Sequence, residues 1–319
     1  MRKKLWEASQ SVKINSNLYN FEGYISKKYK KKFNQNYSKI LKWSISNMGD
    51  FWDAIWDFCN VKGKKGTKKI IKSKFFYKNR FLPQSKLNFS ENLLSKNNRD
   101  KAITFISENG FREVRNWKEL NKNTNKIIKY FKKINIKKND RVAAYMPNCI
   151  ETVEAFLSAS ALGAIWSSCS PDFGAEGVIE RFAQIKPKLL IIADRYYYNG
   201  KEINIIDRLP VILKKIKSIK KVVVVSYPGK SYLKFKKKHN VKIIFWKEIL
   251  KIKKTKLEFK KFNFEHSLAI LYSSGTTGKP KCICHRTGGV LLQHLKEHQL
   301  HCDIKENDNV FYFTTCGWM

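Results

Sequence analysis

Proline, glycine, arginine and acidic residues are all scarce in this sequence. Its 319 residues include 7 Pro and 15 Gly, and 26 acidic residues stand against 64 Lys and Arg, of which only 10 are Arg. The low Pro and Gly content excludes collagen-like and low-complexity chains. Hydrophobic residues form 43% and aromatic residues 13% of the chain, which excludes intrinsic disorder despite a formal net charge of +38. The composition predicts a globular protein of roughly two domains.

The sequence also lacks a long apolar segment and a cysteine pattern typical of secreted domains. Its longest charge-free run, 155–171, contains five serines and is shorter than the roughly 20 apolar residues of a membrane-spanning helix. The basic residues 2–4 are not followed by the apolar stretch of a secretory signal. Seven cysteines are an odd number and do not suit a small disulfide framework. We therefore expect a cytoplasmic protein with no membrane segment.

The positive charge is concentrated in a few segments. Residues 214–261 carry a net charge of +16, whereas 140–195 carry −2 and 262–319 are neutral. Clustered lysines interleaved with aromatic residues make nucleic-acid binding the alternative from a different functional class. Arginine, which makes the best bidentate phosphate contacts, is rare, and no recognition module is visible. We favour the interpretation that these lysines form a solvated surface whose composition reflects an A+T-rich coding sequence. We therefore expect no nucleic-acid partner.

Strand-like and helix-like patterns alternate from residue 101 onward, which predicts an α/β fold with mostly parallel sheets and flanking helices. A further helix is predicted within the stretch 48–59, with Asp50 as its N-cap, and basic helical segments are predicted between the later strands. The strand candidates are 102–107, 111–114 (a hairpin through Asn109-Gly110), 142–146, 164–167, 189–193, 222–225, 241–245, 268–272, 282–285 and 310–314. The helix candidates are 117–134, 150–162, 174–185 and 290–301.

The segment most informative about chemistry is the loop that follows strand candidate 268–272. It reads Ser-Ser-Gly-Thr-Thr-Gly-Lys-Pro-Lys over residues 273–281. Glycines let backbone N–H groups converge on one point, hydroxyls add donors, and Lys279 and Lys281 add positive charge, which is the chemistry that binds a polyphosphate. The spacing of Gly275 and Gly278 is not that of a Walker A loop. We predict a phosphate-binding loop of another type.

A metal site competes with this interpretation close by in the sequence. His294, His298 and His301 are spaced as one face of a helix, where a pair could chelate zinc. Leu291 and Leu295 share much of that face, and the spacing matches no common closed site. We predict ordinary packing there and no metal.

Several stretches together resemble the acyl-adenylate-forming (AMP-binding) superfamily, and within it the acetoacetate–CoA ligase (acetoacetyl-CoA synthetase) family. The loop 273–281 carries the superfamily signature, whereas the region from Gln293 to Cys302 and the ending 313–319 point to the acetoacetate-specific family. Outside the loop, the matching stretches in full are 5–9, 87–94, 163–174, 291–303 and 311–319. The resemblance implies the N-terminal part of that family's large domain. It also implies an N-terminal helical extension at 1–95, and a truncated AMP-binding domain at 96–319 without the mobile C-terminal domain.

The resemblance also implies a two-step ligation. Acetoacetate attacks the α-phosphate of ATP to give an acyl-adenylate and pyrophosphate, and the thiol of coenzyme A then displaces AMP, with Mg²⁺ as the metal cofactor. The residues that match phosphate-binding positions are Ser273, Ser274, Gly275, Thr276, Thr277, Gly278 and Lys281. Trp318 matches a position of the acyl pocket. Asn199, Gly200 and Lys201 correspond to a turn that contacts CoA in acetyl-CoA synthetases, although this turn lacks the arginine found there.

The length of the chain departs from the family, which continues for about as many residues again. The adenine and magnesium motif, the ribose-binding aspartate and the adenylation lysine of the family have no counterpart in these 319 residues. We therefore expect the chain alone to be inactive, as a fragment, a remnant, or one half of an enzyme whose other half is encoded separately. An acetyl- or propionyl-CoA synthetase is the alternative within the superfamily.

Overall fold

The fold is described from a computed structural model, in which residues 5–234, 241–253, 258–273 and 278–318 are described. The chain divides into two compact units. The first unit comprises 1–87, 263–265 and 287–312, and the second comprises 88–262, 266–286 and 313–319. The predicted division between residues 95 and 96 stays a prediction.

Helices and strands are numbered along the chain. The helices are α1 (Gln10–Ile14), α2 (Asn17–Tyr29), α3 (Tyr37–Ser46), α4 (Met48–Phe58), α5 (Phe89–Leu93), α6 (Trp117–Lys133), α7 (Ile150–Ala161), α8 (Ala175–Ile185), α9 (Leu209–Lys215), α10 (Trp246–Ile249) and α11 (Thr287–Lys296). The strands are β1 (Gly63–Lys64), β2 (Ile70–Ile71), β3 (Arg80–Phe81), β4 (Lys86–Leu87), β5 (Lys101–Ile106), β6 (Arg112–Asn116), β7 (Arg141–Tyr145), β8 (Ile165–Cys169), β9 (Leu189–Ala193), β10 (Arg195–Tyr198), β11 (Lys201–Asn204), β12 (Lys221–Val225), β13 (Lys242–Phe245), β14 (Phe262–Asn263), β15 (Ser267–Ser273) and β16 (Lys281–Arg286).

The first unit is mostly helical and is held together by aromatic packing and ion pairs. The Phe21 ring on α2 packs edge-on against Phe58 on α4, with centroids 5.2 Å apart. Lys28 of α2 pairs with Asp53 of α4 at 2.7 Å. The prediction that Asp50 is the N-cap of α4 was wrong. The helix begins earlier, at Met48, and Asn47 holds the cap position. Asp50 instead lies in the first turn, where a carboxylate is favoured by the helix dipole.

The second unit is built on a seven-stranded sheet in the order β13-β12-β9-β7-β8-β15-β16. All neighbours pair in parallel except β15 and β16, which are antiparallel. All five residues of β9 are buried, as expected for a strand covered on both faces. The amphipathic helix α6 and the apolar helix α7 contact each other beside this sheet. The predicted α/β fold with a mostly parallel sheet and flanking helices is confirmed.

Three further details of the sequence prediction were wrong. Residues 310–314 form no strand, because the side chains from Val310 to Phe313 bury no apolar face and are each 65–92% exposed. The described residues 226–234, between β12 and β13, contain no helix, since turns around Pro228 and Gly229 interrupt them. The helix predicted over 290–301 begins at Thr287 and changes at its end into a π-helical turn, Glu297–His301.

No helix within the described residues is long and apolar enough to cross a membrane. The seven cysteines all lie in the described part of the chain, and none is joined to another.

Candidate functional site

The carboxyl edge of the parallel sheet gathers the loops that carry the candidate functional residues. Strands β7, β8, β9, β12 and β15 run in the same direction and end at this edge. In open α/β sheets, ligands bind in the crevice outside the carboxyl ends of the strands. The loop predicted to bind phosphate leaves this edge after Ser273, the last residue of β15.

The predicted phosphate loop has its two ends fixed by strand pairing. Ser273 and Lys281 are register partners in the antiparallel pair β15–β16. Gly278 has φ = +103°, a backbone conformation that L side chains rarely adopt. Ser274, Gly275, Thr276 and Thr277 lie outside the described residues. The composition of this loop was its signal in the sequence. The structure adds that strand pairing brings the two ends of the loop together.

Gln184 of α8 holds the end of this loop. Its Nε2 donates a hydrogen bond to the Pro280 carbonyl at 3.0 Å and a second to the Glu180 carbonyl at 2.8 Å. The same side chain accepts a hydrogen bond from the Cys282 thiol at 3.6 Å. Gln184 could not be identified from the sequence, because a polar residue on an amphipathic helix gives no indication of its distant partner.

The start of the loop is anchored to strand β8. The Ser167 hydroxyl donates to the Ile270 carbonyl at 2.8 Å and lies 3.1 Å from the Tyr272 hydroxyl. Burial raises the pKa of Tyr272, so its hydroxyl stays protonated. Ser167 and Ser168 are both buried in β8, and these two hydroxyls in a buried strand were the available sequence signal.

The segment 314–318 lies against the same edge through three hydrogen bonds. The Ser168 hydroxyl donates to the Cys316 carbonyl at 2.6 Å. The Cys316 thiol donates to the Met146 carbonyl at 3.1 Å, and the Asn148 amide donates to the Thr314 carbonyl at 2.5 Å. Burial raises the pKa of Cys316 to about 12, so this thiol stays protonated at neutral pH.

Trp318, the candidate acyl-pocket residue, follows directly after this anchored segment. At the preceding Gly317, a Cβ would meet the Ser168 carbonyl at 2.8 Å, so only glycine allows so close an approach to β8. The Trp318 side chain itself is 72% exposed. The described residues thus place Trp318 beside the carboxyl edge but enclose no pocket around it.

Two arginines fix the loop 170–174 that follows β8. Arg208 donates through Nη1 to the carbonyls of Pro171 at 3.1 Å and Phe173 at 2.9 Å, and to the Tyr145 hydroxyl. The guanidinium of Arg181 stacks on the Phe173 ring, 4.0 Å from its centroid. Neither arginine was identified from the sequence, since their partners are backbone carbonyls and a ring from distant elements.

Asn199, Gly200 and Lys201 lie on the hairpin β10–β11, which begins just after the carboxyl end of β9. Asn199 and Gly200 have φ values of +50° and +71° and form the tight turn between the two strands. The Gly200 N–H donates to the Glu108 carboxylate at 3.1 Å. Strand β9 is three positions from β15 in the sheet, about 14 Å at the usual strand spacing.

The described residues contain no group of three or more His, Cys, Asp or Glu side chains that could hold a metal ion. His294 and His298 stack with ring centroids 6.0 Å apart.

Comparison with known proteins relates this arrangement to one family. Residues 94–319 match the family described as AMP-binding enzyme. An acetoacetyl-coenzyme A synthetase of Rhizobium meliloti (strain 1021) is 39% identical over 316 residues, which cover 99% of this chain and 48% of that protein. A malonamoyl-CoA synthetase of Penicillium aethiopicum is 33% identical over 327 residues, with 99% of this chain and 45% of the relative covered.

A solved structure shares the fold. The acetoacetyl-CoA synthetase from Streptomyces lividans superposes with a TM-score of 0.91 at 26% identity, covering 99% of this chain and 48% of that chain. The chain thus spans about half the length of the relatives it matches. The predicted resemblance to acetoacetyl-CoA synthetases is confirmed. Because the matched region 94–319 takes in well over half of its residues, the chain belongs to the family of AMP-binding enzymes.

Proposed function

We propose that the chain supplies the nucleotide-binding half of an acid–CoA ligase of the acetoacetyl-CoA synthetase type. The reaction converts acetoacetate, ATP and CoA into acetoacetyl-CoA, AMP and pyrophosphate through an acyl-adenylate. The observation that carries the proposal is the loop 273–281, which has phosphate-binding composition and is closed by strand pairing at the carboxyl edge of a parallel sheet.

The proposed role of this loop is to neutralise the phosphates of ATP. The first step brings an anionic carboxylate toward an anionic phosphate, so electrostatic stabilisation has to supply much of the catalysis. Ser273 through Gly278 would donate backbone and hydroxyl hydrogen bonds to the β- and γ-phosphates, and Lys281 would add a positive charge. The pairing of Ser273 with Lys281 holds both ends of the loop before ATP binds, which reduces the entropy lost on binding.

The proposed substrate sites for the acyl group and for CoA lie at the same edge. Trp318 would line the acyl pocket, held there by the anchored segment 314–318. Asn199, Gly200 and Lys201 would contact the nucleotide part of CoA, for which the exposed Lys201 offers a cation. Mg²⁺ would arrive with the phosphates of ATP.

Acetoacetate is the proposed substrate because the relatives at 35–40% identity bear the name acetoacetyl-CoA synthetase. A relative at 33% identity bears the name malonamoyl-CoA synthetase, and malonamate shares with acetoacetate a carbonyl group at the third carbon. We infer that the acyl preference is set by few residues near Trp318. Acetate or propionate remains the alternative acyl substrate.

We further propose that the protein is cytoplasmic and that the 319-residue chain is inactive by itself. Activity would require a polypeptide equivalent to the remaining half of its relatives.

The experiment joins this chain to the second half of the Rhizobium meliloti relative and measures AMP release with acetoacetate, acetate and propionate. The proposal requires the highest kcat/KM with acetoacetate. A chimaera that responds to acetate or propionate but not to acetoacetate would overturn the substrate assignment.

A further inference from the structure

A buried carboxylate lies at the base of the hairpin β10–β11, which carries the proposed CoA turn 199–201. Asp194 stands between the carboxyl end of β9 and the start of β10, and it is fully buried. Its backbone carbonyl accepts hydrogen bonds at 3.0 Å from the N–H groups of Ile205 and Ile206, which follow β11. Both ends of the hairpin are therefore joined at this one residue.

The carboxylate of Asp194 also holds the loop 226–233, which follows β12. Its Oδ1 accepts from the Tyr227 N–H at 3.0 Å, and its Oδ2 accepts from the Leu233 N–H at 2.9 Å. Oδ2 also pairs with Arg195 Nη2 at 3.2 Å. A buried charge is stable only when it is paired and hydrogen-bonded, and this one has a cation and two backbone donors. Its contacts thus tie the hairpin to the loop.

Arg195 extends this connection along the hairpin. Its Nη2 donates to the Ser231 carbonyl at 2.6 Å, and its Nη1 pairs with Glu202 on β11 at 3.0 Å. Because side chains alternate along a strand, Lys201 projects from the opposite face of the hairpin to Arg195 and Glu202, and it is exposed. The bonds of Arg195 therefore fix one face of the hairpin and leave Lys201 accessible on the other.

We propose that Asp194 is a positioning residue for coenzyme A. Together with Arg195 it holds the turn 199–201 in place before CoA binds, so that ordering the turn is not a cost of binding. The inference rests on the CoA contact proposed for this turn. Since Asp194 is fully buried, it acts through the turn and does not touch CoA. Strand β9 is three positions from β15, so ATP binding at the loop 273–281 should not depend on Asp194.

The test separates the CoA step from the ATP step in the chimaera of this chain with the second half of the Rhizobium meliloti relative. ATP–pyrophosphate exchange with acetoacetate measures adenylation without CoA, and the rate of acetoacetyl-CoA formation at varied CoA concentration gives the KM for CoA. Asp194→Asn should raise this KM by about tenfold, the equivalent of one charge-assisted hydrogen bond, and leave the exchange rate at the parental value. Glu202→Gln, at a more exposed position of the same network, should raise the KM in the same direction.

Asp140→Asn is the matched control. Asp140 also pairs with a cation, Lys188, at 2.9 Å and accepts from a backbone N–H, that of Lys137, at 2.9 Å. It precedes β7 and so lies at the amino edge of the sheet. Asp140→Asn should change neither the KM for CoA nor the exchange rate.

An unchanged KM for CoA in Asp194→Asn and Glu202→Gln, or an equal loss of exchange and of acetoacetyl-CoA formation, would overturn the inference. A parent chimaera that shows no exchange would instead overturn the proposed ligase function.

Hydrogen exchange of the 319-residue chain tests the positioning itself, independently of catalysis. The Gly200 amide, which donates to Glu108 at 3.1 Å, should exchange about tenfold faster in Asp194→Asn, whereas the amides of β7 keep the parental rate. Parental exchange at Gly200 in Asp194→Asn would show that the turn does not depend on Asp194 and would overturn the inference.

Discussion

Ser273 and Lys281 lie opposite each other as the last register pair of β15 and β16, so the loop that joins them leaves and re-enters the sheet at a single point. Register partners in an antiparallel pair project their side chains from the same face of the sheet. Both ends of the loop are thus held by the pairing of the two strands at the carboxyl end of β15.

Replacing Lys281 with Met should lower the affinity of the chain for ATP by about tenfold or more, because a charge-assisted contact to phosphate is lost. The measurement is calorimetric titration with ATP at low ionic strength, where exposed charges are least screened. Lys242→Met, at an exposed position on the far edge strand β13, is the matched control. A similar loss of ATP affinity in both variants would mean that the affinity depends only on the overall positive charge of the chain.

Replacing Gly278 with Ala should weaken ATP binding, because Ala disfavours φ = +103° by about 1–2 kcal/mol and shifts the loop away from its binding conformation. Gly174→Ala is a matched control, since a Cβ meets nothing within 4 Å at either glycine but Gly174 has φ = −64°. Titration of both variants with ATP isolates the effect of backbone conformation. Unchanged affinity in Gly278→Ala would contradict the phosphate role of the loop.

Replacing Gln184 with Met should reduce the free energy of unfolding by about 1 kcal/mol and lower ATP affinity a few-fold, because the Pro280 carbonyl loses its donor. Urea unfolding and ATP titration give the two values. Gln10→Met, on the exposed helix α1 of the first unit, should change neither. Lower stability with full ATP affinity would show that Gln184 supports the fold but not the loop.

The buried Glu154 should make the stability of the chain depend on pH. Burial raises the pKa of this carboxyl to about 8, although Arg115 opposes the shift. The folded state therefore retains a proton that the unfolded chain releases above its ordinary pKa of 4.5. Stability is greatest below that pH and falls as the pH rises toward 8, by at most about 1.4 kcal/mol per pH unit.

Glu154→Gln should remove this dependence, which urea unfolding across the pH range measures as the difference between variant and parent. Glu176→Gln, at an exposed position on α8, should keep the slope of the parent. If the two variants show the same slope, Glu154 is charged in the folded state and the prediction is wrong.

The central elements of the sheet could be predicted from local sequence. The run Leu189–Ala193 is apolar at every position and forms β9 with those bounds, and α6 begins at the predicted Trp117. Such elements bury continuous apolar faces, and their pattern alone determines them. The run 310–314 has the β-branched and aromatic residues typical of strands, but the side chains of 310–313 are exposed and bury no apolar face, so composition alone predicted wrongly there.

The candidate site could be predicted only where its functional residues are adjacent in the sequence. The loop 273–281 was identified because its Gly, Ser, Thr and Lys residues are contiguous. Gln184 and Arg208 act through carbonyls far away in the chain, at Pro280 and at Pro171 and Phe173. Contacts of that kind depend on the strand order, which a single sequence does not specify.

The most direct test of the account is acetoacetate-dependent AMP release, followed in a coupled assay with ATP and CoA. The 319-residue chain is measured alone and then with the separately produced second half of the Rhizobium meliloti relative. We predict no release above background from the chain alone and acetoacetate-dependent release when both parts are present. Steady acetoacetate-dependent release by the chain alone would contradict the claim that it is one half of this ligase.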